Sequence, residues 1–206
     1  MAAIILAAGK STRMGEAKQL LRLGESTVLE QTLEKVRRAG LDEIVLVLGS
    51  DAETIRQHLA ISSAADLKVV VNQNYELGMA SSLRMGLSAI DGRIDAALVV
   101  LADQPFIRPE TFVRIVDEYR SSNAQIVIPQ YKGVRGNPVL LDRSVFAEVV
   151  ALEGDIGCRA IFGSHLEGIV KAEVDDEGIL LDIDNKDDYE RLREAVRRYC
   201  PIRTGE

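Results

Sequence analysis

Three cations, Lys10, Arg13 and Lys18, follow closely behind the small residues Ala7-Ala8-Gly9. Small side chains let backbone N–H groups approach an anion, and glycine lets the chain turn where other residues cannot. The cations supply countercharge of the kind a triphosphate needs. The loop leaves the apolar run Ala2 to Leu6, which reads as a short buried strand. Two other phosphate loops are excluded. Gly9-Lys10-Ser11 resembles the end of a P-loop, but Ile4 stands where that motif needs its first glycine. The dinucleotide fingerprint fails too, because Gly9 and Gly15 alone do not complete it. The plain alternative is a strand-to-helix connection with surface cations.

Other chemistry-bearing clusters fall at the ends of strand-like runs, where open parallel sheets bind their ligands. Asp103, in Ala102-Asp103-Gln104-Pro105, stands just beyond the apolar run Asp95–Leu101. A carboxylate there suits Mg²⁺, which takes one or two protein carboxylates and completes its shell with water and phosphate. It suits equally a turn-forming Asp before a proline. Asp182 and Asp184 lie two apart, so in an extended segment they share a face, and either can complete a metal site with Asp103. One of them, or Asn185, can instead cap the last helix. Gly78-Met79-Ala80-Ser81-Ser82-Leu83 opens a helix after a polar loop containing Asn72. Its free N–H groups and hydroxyls can hold a base edge or an anion, or Ser81 or Ser82 can be a plain cap. Gly133 to Pro138 and Gly154 to Gly157 are glycine turns, readable as hairpins or as a second pair of binding loops. His58 and His165 show no catalytic or zinc-ligand pattern and read as surface residues.

The elements that must position these clusters alternate in type. Strands are expected at 3–7, 43–48, 68–71, 95–101, 125–128, 139–141, 169–173 and 180–182. Helices are expected at 27–39, 52–59, 80–90, 109–120, 144–150, 158–162 and 186–199. The near-continuous apolar strands predict an α/β fold with one doubly wound, mostly parallel, Rossmann-like sheet and a small inserted substrate-binding region. Residues 1–200 are expected to form one domain, with a nucleotide-binding half at about 1–105, a substrate half at about 106–200, and a tail at 201–206.

At 206 residues, 47% of them hydrophobic and 28% charged, the chain can bury a sizeable core. A net charge of −7 argues against a general nucleic-acid surface. Cys158 and Cys200 form no C-x-x-C and read as free thiols of a reducing compartment. The apolar start lacks a basic lead-in and is too short for a secretory leader. No stretch approaches the roughly 18–20 apolar residues of a membrane span. A cytoplasmic protein with no membrane or nucleic-acid partner is therefore expected.

Taken in order, these segments resemble a known family. Leu6-Ala7-Ala8-Gly9-Lys10-Ser11-Thr12-Arg13-Met14-Gly15 with Lys18-Gln19 is similar to the signature of the MobA-like nucleotidyltransferases. Five further segments, at 78–83, 101–105, 135–138, 154–157 and 182–185, narrow the resemblance to its molybdenum cofactor cytidylyltransferase branch. That branch matures enzymes of the xanthine dehydrogenase type, which implies such a molybdoenzyme as client. The resemblance spans about residues 3 to 195.

It implies a reaction in which the terminal phosphate of molybdopterin attacks the α-phosphorus of CTP, with Mg²⁺ or Mn²⁺ as cofactor. It implies nucleotide binding by Leu6, Ala7, Ala8, Gly9, Lys10, Ser11, Arg13, Lys18, Asn72, Gly78, Met79, Ser81 and Ser82. Lys18, Arg13 and Asp103 become the catalytic residues, and Asp103 with Asp184 or Asp182 the metal ligands. Gln104, Pro105, Arg135, Gly136, Asn137, Pro138, Gly154, Asp155 and Gly157 are assigned to the acceptor. Family members commonly carry histidine at the position of Asn137 and threonine-proline at Asn185-Lys186, so the acceptor contact and the start of the last helix differ here. Other classes remain: a guanylyltransferase, which typically has two glycines at Ala8-Gly9; an isoprenoid-pathway cytidylyltransferase; and a non-catalytic cofactor carrier.

Overall fold

The computed structural model describes residues 1–10, 15, 17–58 and 67–199, with side chains up to residue 194. The first strand, β1 (Ala2–Ala7), is followed by a short hairpin, β2 (Arg22–Leu23) and β3 (Ser26–Thr27). Then come α1 (Val28–Arg37), β4 (Glu43–Leu48), α2 (Ala52–His58), β5 (Leu67–Val71), α3 (Met79–Ala89), β6 (Ala96–Leu101) and α4 (Pro109–Ser121). The chain continues through β7 (Ile126–Tyr131), β8 (Val134–Arg135), β9 (Val139–Asp142), α5 (Phe146–Val150), β10 (Ile169–Glu173) and α6 (Lys186–Tyr199).

Seven strands make one α/β sheet in the order β5-β4-β1-β6-β9-β7-β10, with β8 turned back beside β7. β9 runs antiparallel to both its neighbours and the other main pairings are parallel. β1 pairs on both sides, with Ile4 opposite Val45 and Val99, so it must be apolar throughout. Its side chains alternate between two cores. Ala3 and Ile5 meet α1 and α4 through Leu33, Val36, Phe112 and Ile115. Ile4 faces α3 and α5 with Leu83, Leu87 and Val149. Gly86 allows α3 to lie this close, because a Cβ there would meet Ile4 Cγ2 at 2.4 Å.

A third, smaller cluster joins Leu21, Leu23 and Val28 to Ile183 and Leu192 of the last helix. Tyr189 adds a hydrogen bond to the Arg22 carbonyl at 2.7 Å. Distant parts of the chain thereby meet beside the carboxyl end of β1.

The expected strand at 180–182 does not form. Residues Glu177–Leu180 are a 3-10 turn, and Gly178 rests against the Phe106 carbonyl where a Cβ would meet it at 2.4 Å. That contact curls the chain away from any strand partner. The helix expected at 158–162 is likewise a 3-10 segment, Cys158–Ser164. The β2–β3 hairpin and β8 are too short to show an alternating pattern and had no counterpart in the sequence reading.

Candidate active site

The chain leaves β1 toward β4 on one side and returns to β6 on the other, which opens a crevice at their carboxyl ends. A cleft of about 590 Å³ occupies it. Its floor is Leu6, Ala8 and Gly9 from the exit of β1, and Leu101 to Asp103 from the exit of β6.

At its centre Lys18 joins two carboxylates. Its Nζ lies 2.5 Å from Asp103 Oδ2 and 3.8 Å from Asp184 Oδ1. It also donates to the Ile183 carbonyl at 3.3 Å. The Ile183 amide donates in turn to the Asp103 carbonyl at 3.0 Å, tying the segment before α6 to the exit of β6. The Lys18 and Asp103 side chains are 18% and 19% exposed, so their attraction is screened less than that of a surface pair. Asp103 Oδ1 is buried without a hydrogen-bond partner among the described residues.

Asp184 lines the cleft and Asp182 does not. Partial desolvation raises the Asp182 carboxyl from its ordinary value, and the neighbouring Asp184 and Asp103 add to the shift. Asn185 accepts from the Asp188 amide at 3.0 Å and so serves the start of α6, leaving Asp184 to the cleft.

The start of α3 differs from a free anion site. Met79 N donates to Asp155 Oδ1 at 3.2 Å, and Ala80 N to the Gly154 carbonyl at 3.2 Å. The Gly154-Asp155 turn thus caps the helix from another part of the chain, because these N–H groups have no partner within the helix. Gly78 makes the junction with φ 96°, and a Cβ there would meet Gly154 at 2.5 Å. Asn72 is buried and directs its amide to Ser81 Oγ at 2.8 Å and Ser82 Oγ at 3.0 Å. Neither Asn72 nor Ser81 lines the cleft, whereas Gly78, Met79 and Ser82 do. Asn72 and Ser81 therefore hold the helix start from behind.

A second cavity of about 270 Å³ adjoins the first, with Leu6, Met79 and Leu101 lining both. Arg135, Gly136, Asn137 and Gly157 line it, together with Arg159 and Cys158, which the sequence reading had not assigned to a site. Antiparallel β9 explains the position of Asn137: Val139 pairs with Val99, so the start of β9 lies beside the carboxyl end of β6. Asp155 lines the first cleft, not the second. Gln104, Pro105, Pro138 and Gly154 line neither, and neither does Ala7. Gln104 is buried, and the Pro105 carbonyl accepts from Lys35 of α1. Pro105 thus anchors the Asp103 loop to the helix beneath it.

Sequence reasoning also passed over Gln19, Tyr75 and Glu76 as site residues. All three line the cleft. Lys10 Nζ pairs with Glu76 at 2.6 Å and sits over the Tyr75 ring at 5.7 Å, linking two walls of the cleft. The bond from Lys10 holds the Glu76 carboxyl below its usual value. Nothing in local pattern marks Tyr75 or Glu76, but Gln19 adjoins Lys18 in the motif. Ser11 and Arg13 lie outside the described residues, as does Cys200. His58 is exposed and bonded to its own helix at the Thr54 carbonyl. His165 is more enclosed than a surface residue, set between Gln125 and Glu148.

Among the described residues no group of three His, Cys, Asp or Glu side chains is arranged to hold a metal. Asp103 and Asp184 nevertheless fit a hard divalent cation that draws its remaining ligands from water and phosphate. The unpartnered Asp103 Oδ1 is a carboxylate oxygen ready for such an ion. No described helix is long and apolar enough to cross a membrane.

Residues 3–169 match the profile of the MobA-like NTP transferase domain. The chain belongs to that family. Across the family the chain is similar to the molybdenum cofactor cytidylyltransferase of Escherichia coli K12, at 24% identity over 97% of each chain. It is 34% identical to the bifunctional protein GlmU of Geobacter metallireducens over 62% of its own length. That match spans about a quarter of GlmU, 27%. Among solved structures, Rv0371c of Mycobacterium tuberculosis H37Rv superposes with a TM-score of 0.82 at 35% identity, covering 94% of this chain and 97% of that one. Its complex with manganese gives a TM-score of 0.78 at 34% identity, covering 94% and 98%. This MobA-like protein is a nucleotidyltransferase enzyme.

Proposed function

We propose that the protein transfers CMP from CTP to the terminal phosphate of molybdopterin, releasing pyrophosphate. The observation that carries the reading is Lys18 set between Asp103 and Asp184 at the switch point of the sheet. End-to-end similarity to a molybdenum cofactor cytidylyltransferase supports the acceptor. So does the adjoining cavity, whose apolar walls and two arginines suit a fused ring bearing an anionic group. Ala8 supports the base, since it lines the cleft floor where a guanylyltransferase typically carries glycine.

In this reading Asp103 and Asp184 hold Mg²⁺ or Mn²⁺, as the manganese complex of the related mycobacterial protein encourages. The bound ion would neutralise charge on the nucleotide and the attacking phosphate. Lys18 places a further positive charge where charge grows as the α-phosphorus is attacked. An oxygen of the acceptor phosphate bonds to that phosphorus, the bond to the β-phosphate oxygen breaks, and pyrophosphate leaves with the electron pair. A phosphate monoester is largely ionised at neutral pH, so no general base is required. The shared wall of Leu6, Met79 and Leu101 lets the two substrates meet end to end. A molybdoenzyme of the xanthine dehydrogenase type is the client this product would serve, and the cytoplasm is where the transfer would take place.

Pyrophosphate release from CTP and from GTP, each with and without molybdopterin, tests the proposal. Release that requires molybdopterin and prefers CTP is expected. Equal use of GTP would point to a guanylyltransferase, and no release with either would favour a carrier.

A further inference from the structure

We infer that Gln19 belongs to the ligand-contacting set, its side-chain oxygen accepting a hydrogen bond from water on the divalent cation held by Asp103 and Asp184. Gln19 is 2% exposed and lines the cleft. Its Nε2 donates to the Ala7 carbonyl at 3.1 Å. That bond settles which end of the amide is which, because a carbonyl oxygen requires the nitrogen opposite it. Oε1 must then point the other way, and there it is buried with no donor among the described residues. A buried acceptor without a donor is costly, so a position like this implies a donor that arrives with a ligand. A triphosphate ionised at neutral pH presents acceptors only. The donors that remain are water bound to the cation and the hydroxyl or amino groups of the nucleoside.

The neighbourhood favours the first. Lys18, adjacent in the chain, binds both carboxylates, and Asp103 Oδ1 is a second buried acceptor on the same cleft without a partner among the described residues. Two such acceptors beside one carboxylate pair suit a hydrated cation, which offers coordination to one and a water hydrogen to the other. The inference rests on the metal reading above.

The test compares Gln19→Leu with Gln19→Glu. Both lose the bond to the Ala7 carbonyl, and Glu alone keeps an acceptor at Oε1, with an added negative charge that a nearby cation also favours. Mn²⁺ binding is followed by titration against the free-ion resonance signal, without and with CTP, and thermal unfolding checks that each variant is folded. Asp103→Asn is the control. Gln19→Leu is expected to weaken Mn²⁺ binding about tenfold, and Gln19→Glu to bind it at least as tightly as the unmodified protein. CTP binding in the presence of chelator should be unchanged in both. If Asp103→Asn weakens Mn²⁺ binding and both Gln19 variants bind it normally, the role assigned to Gln19 is wrong and the metal reading stands. Should only metal-free CTP binding suffer, the donor is the nucleoside and the inference is overturned. Unaltered Mn²⁺ binding in Asp103→Asn removes the metal reading, and this inference with it.

Discussion

At Lys18 one ammonium group serves two carboxylates from distant parts of the chain, 2.5 Å and 3.8 Å away. On the proposed mechanism, Lys18→Met removes a charge aimed at the growing negative charge of the reaction, worth about 3–4 kcal/mol, or two to three decades in rate. Pyrophosphate release should fall by that factor while the far-ultraviolet spectrum is unchanged. A loss smaller than threefold would take Lys18 out of the reaction. Cys158 has a different part. Burial pushes its thiol up to about 12 from an ordinary 9.0, which disfavours the reactive thiolate although Cys158 lines the second cavity. The sign follows from linkage: the unfolded thiol ionises first, so this group's contribution to stability is full below pH 9.0 and is lost as pH rises through about 12. In a Cys200→Ser background, a disulfide reagent at pH 8 should label Cys158 only as fast as the protein unfolds. Rapid labelling of the folded protein would contradict this burial.

Among the elements, α1 and α3 differ in how their starts are held. α1 carries its own capping box: Glu30 N donates to Thr27 Oγ1 at 3.2 Å, and Thr27 N to the Glu30 carboxylate at 2.7 Å. α3 has no side-chain cap of its own and depends on Asn72, Gly154 and Asp155. Thr27→Ala should cost about 1 kcal/mol of stability and leave the KM for nucleotide alone. Asn72→Ala leaves its two serine hydroxyls without that donor, at about 1–3 kcal/mol, and loosens a wall of the cleft. Its KM for nucleotide should rise as well. Urea unfolding with parallel kinetics separates the two variants; an unchanged KM in Asn72→Ala would make that residue purely architectural.

Over the whole molecule, one sheet carries both halves of the site. β9 bridges β6 of the first half to β7 of the second, and the cluster of Leu23, Ile183 and Leu192 closes the far end of the chain onto the β2–β3 hairpin. Neither half has a complete core without the other, so unfolding should be a single transition. Thermal or urea curves followed by circular dichroism and by tyrosine fluorescence should coincide. A fragment of residues 1–105 should not fold, because β6 would lose β9 and Asp103 would lose the Ile183 amide. Two separated transitions, or a folded fragment, would refute this coupling.

Much of this was readable in the chain itself. A strand buried on both faces must be apolar, and β1, β6 and β4 from Ile44 onward are, so the parallel core and the polar residues at its carboxyl ends followed from composition and order alone. The loop behind β1 and Asp103 behind β6 were visible for the same reason. Three matters depended on contacts between distant residues. Asp184 rather than Asp182 lines the cleft, where the Ile183 amide bond to the Asp103 carbonyl and the Lys18 bond to the Ile183 carbonyl tie this segment to the exit of β6. The start of α3 is capped by a turn 76 residues away, which no local pattern encodes. Arg159, Glu76 and Gln19 line the two cavities only because of where strands and turns are stacked. Periodicity reports which side of an element is buried; which group meets which across the crevice is decided by packing.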